Sequence, residues 1–167
     1  MLFRSAGQSQ QFSQNIAIGI RAGNTSQGGS YGGYPGANGN SISIGTYAGE
    51  TNQHQSCIAI GLNAGNYSQG HSSVAVGHVA GRDSQGADAV AVGVGAGRYN
   101  QGNYAVAIGE RAGYGADTAQ GEYAVAIGSR AGFNNQAAYS IILNATGNSL
   151  DSASSGLFID QIGRAHV

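Results

Sequence analysis

A triplet of one apolar, one small and one apolar residue, followed by glycine, recurs along most of the chain. The clearest copy runs from Val106 to Gly113, and every copy reads apolar, Ala or Ser, apolar, Gly, two variable positions, Ala, Gly. Other copies begin at Ile16, Ile42, Ile58, Val74, Val90 and Val125, and a degenerate copy begins at Ile141. Successive copies start 16 residues from one another, except for one interval of 26 residues and one of 19 residues. Self-similarity at a fixed period predicts a stacked repeat architecture.

The alternation within each triplet has a period of two, which is typical of a β-strand. The glycine that follows disfavours a helix by about 1 kcal/mol relative to Ala and is expected where the strand ends in a turn. A second short strand is expected around the second Ala of each copy, such as Ala112, before the next glycine. The pattern therefore predicts an all-β parallel β-roll, or β-solenoid, of about eight 16-residue coils over residues 1–147.

The two faces of the repeated strand predict an interior and a contact surface. We expect the large apolar residues to fill the coil; they are Ile16, Ile18, Ile42, Ile44, Ile58, Ile60, Val74, Val76, Val90, Val92, Val106, Ile108, Val125 and Ile127. The small residues between them would form a flat face toward other chains, namely Ala17, Ala59, Ala75, Ala91, Ala107 and Ala126. Such a regular face predicts a closed homo-oligomer.

A glutamine precedes most strand starts by five residues and is often followed by glycine. Stacked coils would align these amides into a ladder that satisfies its own donors and acceptors. The predicted ladder consists of Gln53, Gln69, Gln85, Gln101, Gln120 and Gln136, with Gln11 in the same position near the start of the chain. We interpret it as a ladder that stabilises the turns; a row that binds a ligand is the alternative.

Two insertions interrupt the period. Ten extra residues fall within residues 29–40, and three lie between Tyr114 and Ala119. Both are expected to bulge outward without breaking the stack. The first insertion is glycine-rich and carries Tyr31, Tyr34 and Pro35, which makes it a candidate ligand-contact loop or a neutral decoration.

The ends of the chain depart from the repeat. Ala6-Gly7 lies one period before Ala22-Gly23, so the sequence begins in the middle of a repeat. Residues 148–167 are expected to form a truncated capping or junction segment. Residues 162–167 match one reading frame of a common sequencing adapter, which predicts that they are not native and that the natural chain continues.

Composition narrows the classes of function. Charged residues make up 9% of the chain, against about 25% in typical domains, and the 30 glycines argue against an ordinary globular core. A net charge of −1 without a basic cluster disfavours nucleic acid or a membrane surface as partner. Cys57 occupies a position where other copies carry Ser or Ala, so it is interpreted as a small filling residue. The histidines lack metal-ligand spacing and no nucleophile or phosphate motif is present, which predicts a protein that is not an enzyme and has no cofactor.

The motif from Ile16 to Gly132, with Gln-Gly between copies, resembles the head repeats of trimeric autotransporter adhesins and related repeats in viral and phage fibres. The likeness covers about three quarters of the chain. It implies a left-handed parallel β-roll that forms a homotrimer about a three-fold axis. It also implies an extracellular location on a cell or virion surface, and attachment to a host or matrix ligand.

Three other functions fit the repeat. A virus or phage receptor-binding fibre is the nearest alternative. A polysaccharide-degrading spike would need paired carboxylates, for which Asp117 and Glu122 are the candidates. A spacer without a ligand is the third.

Overall fold

A computed structural model describes residues 6–9, 14–28, 39–116 and 118–160, which are all-β and contain no helix. The strands in these residues are β1 (Ile16–Ile18), β2 (Ile42–Ile44), β3 (Thr51–Gln53), β4 (Ile58–Ile60), β5 (Tyr67–Gln69), β6 (Val74–Val76), β7 (Asp83–Gln85), β8 (Val90–Val92), β9 (Val106–Ile108), β10 (Val125–Ile127), β11 (Ala131–Gln136), β12 (Ser140–Asn144), β13 (Leu150–Ser152) and β14 (Gly156–Asp160).

One long parallel sheet organises the molecule. It has nine strands in the order β1-β2-β4-β6-β8-β9-β10-β12-β14, and every pair is parallel. Neighbours are one repeat apart, as in the pairing of Ile58 with Val74. Ile16 still pairs with Ile42, and Val106 with Val125, across the two insertions. The predicted β-solenoid is confirmed, and both insertions leave its register intact.

The other side of each coil carries shorter strands. β3, β5 and β7 form a three-stranded sheet, and β11 pairs with β13. The three-stranded sheet ends in ladder glutamines, with Gln53 paired to Gln69 and Gln69 to Gln85. The expectation of a strand around Ala112 was wrong, because this residue lies in a turn. A strand includes the second Ala of the motif only where β11 begins at Ala131, and β3, β5 and β7 each begin three residues after that Ala.

The two faces of the long sheet are the reverse of the prediction. The predicted contact alanines point into the coil, and Ala59, Ala75, Ala91, Ala107 and Ala126 are all 0% exposed. Ala17, in the first strand, is partly exposed. The predicted core residues lie on the outer surface, where Ile16 is 47% and Ile127 40% exposed. The correction applies to all the large residues of the triplets: Ile16, Ile18, Ile42, Ile44, Ile58, Ile60, Val74, Val76, Val90, Val92, Val106, Ile108, Val125 and Ile127 are exposed or only partly buried.

The reason for the reversal is the narrow interior of a 16-residue coil. A second row of fully buried alanines faces the first and consists of Ala48, Ala64, Ala80, Ala96, Ala112 and Ala131. A third buried row consists of Ser41, Cys57, Ser73, Ala89, Ala105, Ala124 and Ser140. Because interiors pack at crystal-like density, coils lined by alanine on both sides leave no room for β-branched side chains. The larger residues must therefore point outward.

Glycine is required at the turn after each outer strand. Gly61 has a φ of +129°, and a Cβ built there would lie 2.5 Å from the carbonyl oxygen of Gly77 in the next coil. The second motif glycine has a different constraint, because a Cβ on Gly81 would lie 2.7 Å from Gln85 Oε1. The first glycine lets coils stack, and the second leaves room for the ladder.

The pairing of the nine-stranded sheet continues past residue 148, into the predicted capping or junction segment. β14 pairs with β12 in the same register, with Leu157 beside Ile141. Where the ladder ends, Ser152 pairs with Gln136, and the larger Ile142 takes the place of an alanine in the buried row. Residues 161–167 lie outside the described part of the chain. The structure therefore does not test the prediction that residues 162–167 are not native.

Candidate functional site

Large apolar side chains line the outward side of the nine-stranded sheet. We call the outward Ile, Val and Leu side chains of its strands the outer face. Exposure reaches 37% at Ile18, 42% at Ile141 and 62% at Leu157. A cavity of about 340 Å³ continues this face at its carboxyl end, lined in part by Ile127, Leu143 and Ile159. Soluble monomers rarely expose a contiguous apolar surface of this kind, so the face is a candidate contact surface.

A stack of tyrosines runs beside the outer face. The ring centroids of Tyr104 and Tyr123 are 4.7 Å apart, and those of Tyr123 and Tyr139 are 5.3 Å apart, with nearly parallel planes. All three rings are exposed, by 47%, 45% and 65% in chain order. Each lies two residues before the first apolar residue of an outer-strand triplet, at a φ near +57°, a conformation that turns the side chain outward. The repeat thus places one aromatic ring above another along the stack axis.

A polar cavity of about 440 Å³ lies on a different edge of the coils. Residues from the first three copies of the motif line it, including one variable position from each copy. Arg21, Tyr47 and Asn63 occupy the second variable position and have φ values of +54° to +59°. Glu50 and Asn66, 8% and 2% exposed, form the floor. We call this the edge cavity.

Charge pairing fixes the floor of the edge cavity. Arg21 Nη2 lies 2.8 Å from Glu50 Oε1, and the guanidinium carbon lies 5.6 Å from the centre of the Tyr47 ring. Asn66 Nδ2 donates to Glu50 Oε2 at 3.2 Å and to the Tyr47 carbonyl at 2.9 Å. Asn66 Oδ1 is buried and accepts no hydrogen bond. The cavity therefore has balanced charge and one unsatisfied acceptor.

Further along the same edge, two arginines lie among aromatic rings. The Arg98 guanidinium lies 4.8 Å from the centre of the Tyr99 ring and donates to Tyr114 Oη at 2.8 Å. Tyr114 stacks on Phe133 at 5.1 Å. Arg82 pairs with Asp83 at 2.6 Å, and this hydrogen bond raises the pKa of Arg82. These contacts pair most of the polar groups with one another, although Arg98 Nε is buried without a hydrogen-bond partner, and they leave a packed edge instead of a cavity.

The six predicted ladder glutamines are between 0% and 2% exposed and lie inside the coil, not at its turns. Their amides bond along the axis in pairs: Gln53 donates to Gln69 at 3.0 Å, Gln85 to Gln101 at 3.2 Å and Gln120 to Gln136 at 3.0 Å. Each amide also donates to an outer-strand carbonyl, as Gln101 does to Val90 at 2.9 Å. Gln27 extends the row through Ser43, whose hydroxyl donates to Gln53. The buried positions give the row a structural role.

Two histidines lie near each other, and His71 Nδ1 is 3.7 Å from Asp88 Oδ2. Desolvation raises the pKa of the Cys57 thiol, which is buried and lies 2.8 Å from the carbonyl oxygen of Gly70. Desolvation, with a smaller contribution from His71, lowers the pKa of His54. Within the described residues no three His, Cys, Asp or Glu side chains lie close enough to hold a metal ion.

Two predicted sites fall partly or wholly outside the described residues. The candidate ligand-contact residues Tyr31, Tyr34 and Pro35 lie there, and so does Asp117 of the candidate carboxylate pair. Glu122 is described and exposed. The described segments contain no helix of the length and apolarity needed to cross a membrane.

Comparison of the chain with protein-family models, with curated proteins and with solved structures found no match in any of the three. The resemblance to adhesin head repeats therefore stays a prediction based on the motif. The fold itself is established from the strand pairing described above.

Sequence reasoning missed the tyrosine stack and the edge cavity. A signal for the stack was available, because Tyr104, Tyr123 and Tyr139 share one position in the repeat. The cavity carries no such signal, since its residues differ in type from coil to coil. Its shape depends on the left-handed backbone conformation at the second variable position, which residues as different as Arg21, Tyr47 and Val79 adopt.

Proposed function

We propose that this chain is a structural and adhesive segment of an extracellular surface fibre and that it assembles as a homotrimer through its outer face. The observation that carries the proposal is the continuous apolar surface of the nine-stranded sheet. A large aliphatic side chain contributes about 1.5–3 kcal/mol when it passes from full exposure to full burial, so two exposed or partly exposed side chains on each strand together favour association. Nine strands at a spacing of about 4.8 Å make this surface roughly 40 Å long.

The geometry favours association of like faces side by side. Each coil contributes one outer strand with the same apolar, small, apolar pattern. Identical chains placed side by side in register therefore bring matching rows of apolar side chains together. The tyrosine stack borders this surface and adds aromatic contacts of about 0.5–1.5 kcal/mol per pair. A closed assembly leaves no outer face uncovered, whereas an open one would continue to grow. The number three and the left-handed winding come from the resemblance and stay predictions.

The adhesive part of the proposal rests on what such an assembly leaves exposed. None of the residues that line the edge cavity belongs to the outer strands, so assembly through the outer face leaves the cavity open. A virus or phage fibre would use the same arrangement. The proposed role is not enzymatic, and its location is extracellular.

Light scattering coupled to size-exclusion chromatography tests the assembly. We expect three times the chain mass for the unmodified protein and one chain mass for the double variant Ile60→Asp, Val92→Asp, because carboxylates on the outer face oppose burial. Ser68→Asp provides the control: Ser68 is exposed, outside the outer face and at a φ that Asp tolerates, so this variant should stay assembled. A monomeric unmodified protein at micromolar concentration would contradict the proposal.

Attachment is tested separately with cells and matrix-coated surfaces. Beads that carry the assembled chain should bind above the level of uncoated beads. Equal binding by coated and uncoated beads would favour the spacer function.

A further inference from the structure

The edge cavity has the chemistry of a ligand site that the repeat does not require. No other group of neighbouring coils repeats this combination of residues at the same positions, and the buried rows and glutamine ladder already account for stacking. A buried polar atom without a partner costs about 1–3 kcal/mol, yet Asn66 Oδ1 is kept in this state on the cavity floor. This cost lies on the floor of the cavity, beneath the accessible side chains of Thr51, Asn63 and Tyr67, and the stacking of the coils does not require it.

Charge excludes two classes of ligand. An anion would face the Glu50 carboxylate, which is 8% exposed on the floor. A metal ion would have to displace Arg21 from that carboxylate, and the cavity contains no second acidic side chain. The Arg21–Glu50 pair neutralises the cavity, so a neutral ligand meets the smallest electrostatic penalty.

The remaining side chains indicate what kind of neutral ligand fits. Every residue that lines the cavity carries a hydrogen-bonding group, and none is aliphatic. Thr51, Asn63 and Tyr67 supply hydroxyl and amide groups that both donate and accept. Tyr67 is 52% exposed at the rim and presents an aromatic surface as well as a hydroxyl group. The cavity offers no apolar pocket for an aliphatic side chain of a peptide. Its hydroxyl and amide groups instead match a ring with several hydroxyl groups.

We propose that the edge cavity binds a neutral saccharide unit of a glycan, with Thr51 and Asn63 bonded to sugar hydroxyls above the Glu50 and Asn66 floor and Tyr67 packed against the sugar ring. The volume of about 440 Å³ lies in the range of small-molecule sites. The inference rests on the proposed adhesive role and specifies its ligand. It places recognition on the coil edge formed by Arg21, Tyr47, Glu50 and the coil that follows.

A panel of immobilised neutral mono- to tetrasaccharides, with sialylated and sulfated glycans and extended peptides as separate arms, tests the site with the full chain. We expect saturable binding to at least one neutral glycan. Tyr67→Ala should weaken that binding at least tenfold, and Asn63→Gly should weaken it severalfold while keeping the left-handed conformation of the Asn63 backbone. Tyr99→Ala removes the ring at the repeat position of Tyr67 two coils further along, outside the cavity lining, and should bind the glycan as well as the unmodified chain.

Circular dichroism and light scattering on each variant separate loss of the site from loss of fold or assembly. Binding only to acidic glycans or only to peptides would overturn the saccharide proposal, as would equal glycan binding by Tyr67→Ala and the unmodified chain. Any of these results can occur while the chain still assembles and attaches to cells, so failure of the site and failure of the proposed function are distinguishable.

Discussion

Two independent constraints require glycine at the end of an outer strand. Gly77 has a φ of +130°, a region that is essentially closed to residues with a Cβ. The same Cβ would lie 2.5 Å from the backbone of Gly93, and backbone in a stacked coil cannot move away without breaking the ladder of strands. The strain at this position therefore adds to a clash that has no side-chain remedy.

Gly77→Ala should lower the free energy of unfolding by about 4 kcal/mol or more, at the upper end of single substitutions. Gly147→Ala is the matched control, because Gly147 also has a positive φ, of +77°, but a Cβ there meets nothing within 4 Å. It should cost only about 1 kcal/mol from backbone strain. Urea unfolding measures both, and equal losses would show that the close approach of coils does not restrict this position.

Cys57 illustrates how burial controls reactivity. Its side chain is fully buried in the small-residue row, between the coils that carry Ser41 and Ser73. Since burial raises the pKa of the thiol, the folded protein keeps it neutral over a range of pH in which the unfolded chain ionises it.

The Cys57 thiol should therefore resist a chromogenic disulfide reagent in the native protein and react at once in denaturant. The pKa in the folded state is higher than in the unfolded state, so this part of the stability is present below about pH 9 and is lost as the pH rises further. Cys57→Ser should lack this loss, and the difference between the two proteins in urea unfolding at about pH 7.5 and about pH 10 measures it. A native thiol that reacts as fast as the unfolded one would contradict the burial.

At the scale of the element, the glutamine ladder connects the two sides of each coil. Gln53, Gln69 and Gln85 lie in the three-stranded sheet, and their side-chain amides donate to carbonyls of the outer strands. The side chains thus span an interior otherwise filled mainly by small residues. The axial amide bonds occur in pairs, and Gln85 Oε1 and Gln120 Oε1 accept none. The bonds across the coil are thus more regular than those along the stack.

Gln101→Ala should lower the free energy of unfolding by about 2–4 kcal/mol, because it leaves the Val90 carbonyl without this donor and opens a cavity. The neighbouring Asn100→Gly is the control, since Asn100 is exposed and glycine keeps its φ of +47°. Thermal and urea unfolding should place this control within about 0.5 kcal/mol of the unmodified protein. A loss in Gln101→Ala no larger than in the control would indicate that the ladder is not needed for stability.

The strands, their register and the row of glutamines could be predicted from the sequence, because each follows from the period of two within the triplet and the period of 16 between triplets. The direction of the side chains could not, since Val106 and Ala107 alternate equally well in either sense. One physical signal was present: the alternate position is Ala or Ser in seven copies, whereas its neighbours vary between Ile and Val. A narrow interior accepts only one side-chain size, while an outer surface accepts several. The edge cavity depends on side chains from different coils and could not be predicted from periodicity.

For the whole molecule, stacking makes each coil depend on its neighbours and on little else. The outer strands β4, β6 and β8 pair in an unbroken register of one repeat, and the buried row places Ser73 and Ala89 in equivalent positions. Nearest-neighbour architectures of this kind tolerate the gain or loss of whole repeats. The unit that can be removed is thus set by the period and not by the strand boundaries.

Deleting residues 74–89 joins Ser73 to Val90 and removes one complete coil. We expect a folded, shorter solenoid with the same type of circular dichroism spectrum and an unbroken outer face, so it should assemble like the unmodified chain. Deleting residues 74–81 removes only half as many residues, but it takes away β6 and leaves β7, which places Arg82 where an outer strand must follow Ser73. That variant should lose most of its β signal or unfold at a much lower urea concentration, because no register can restore both sheets and the ladder. If the larger deletion were as damaging as the smaller one, the coils would not be interchangeable units, and the outer face could not be treated as a regular surface built one coil at a time.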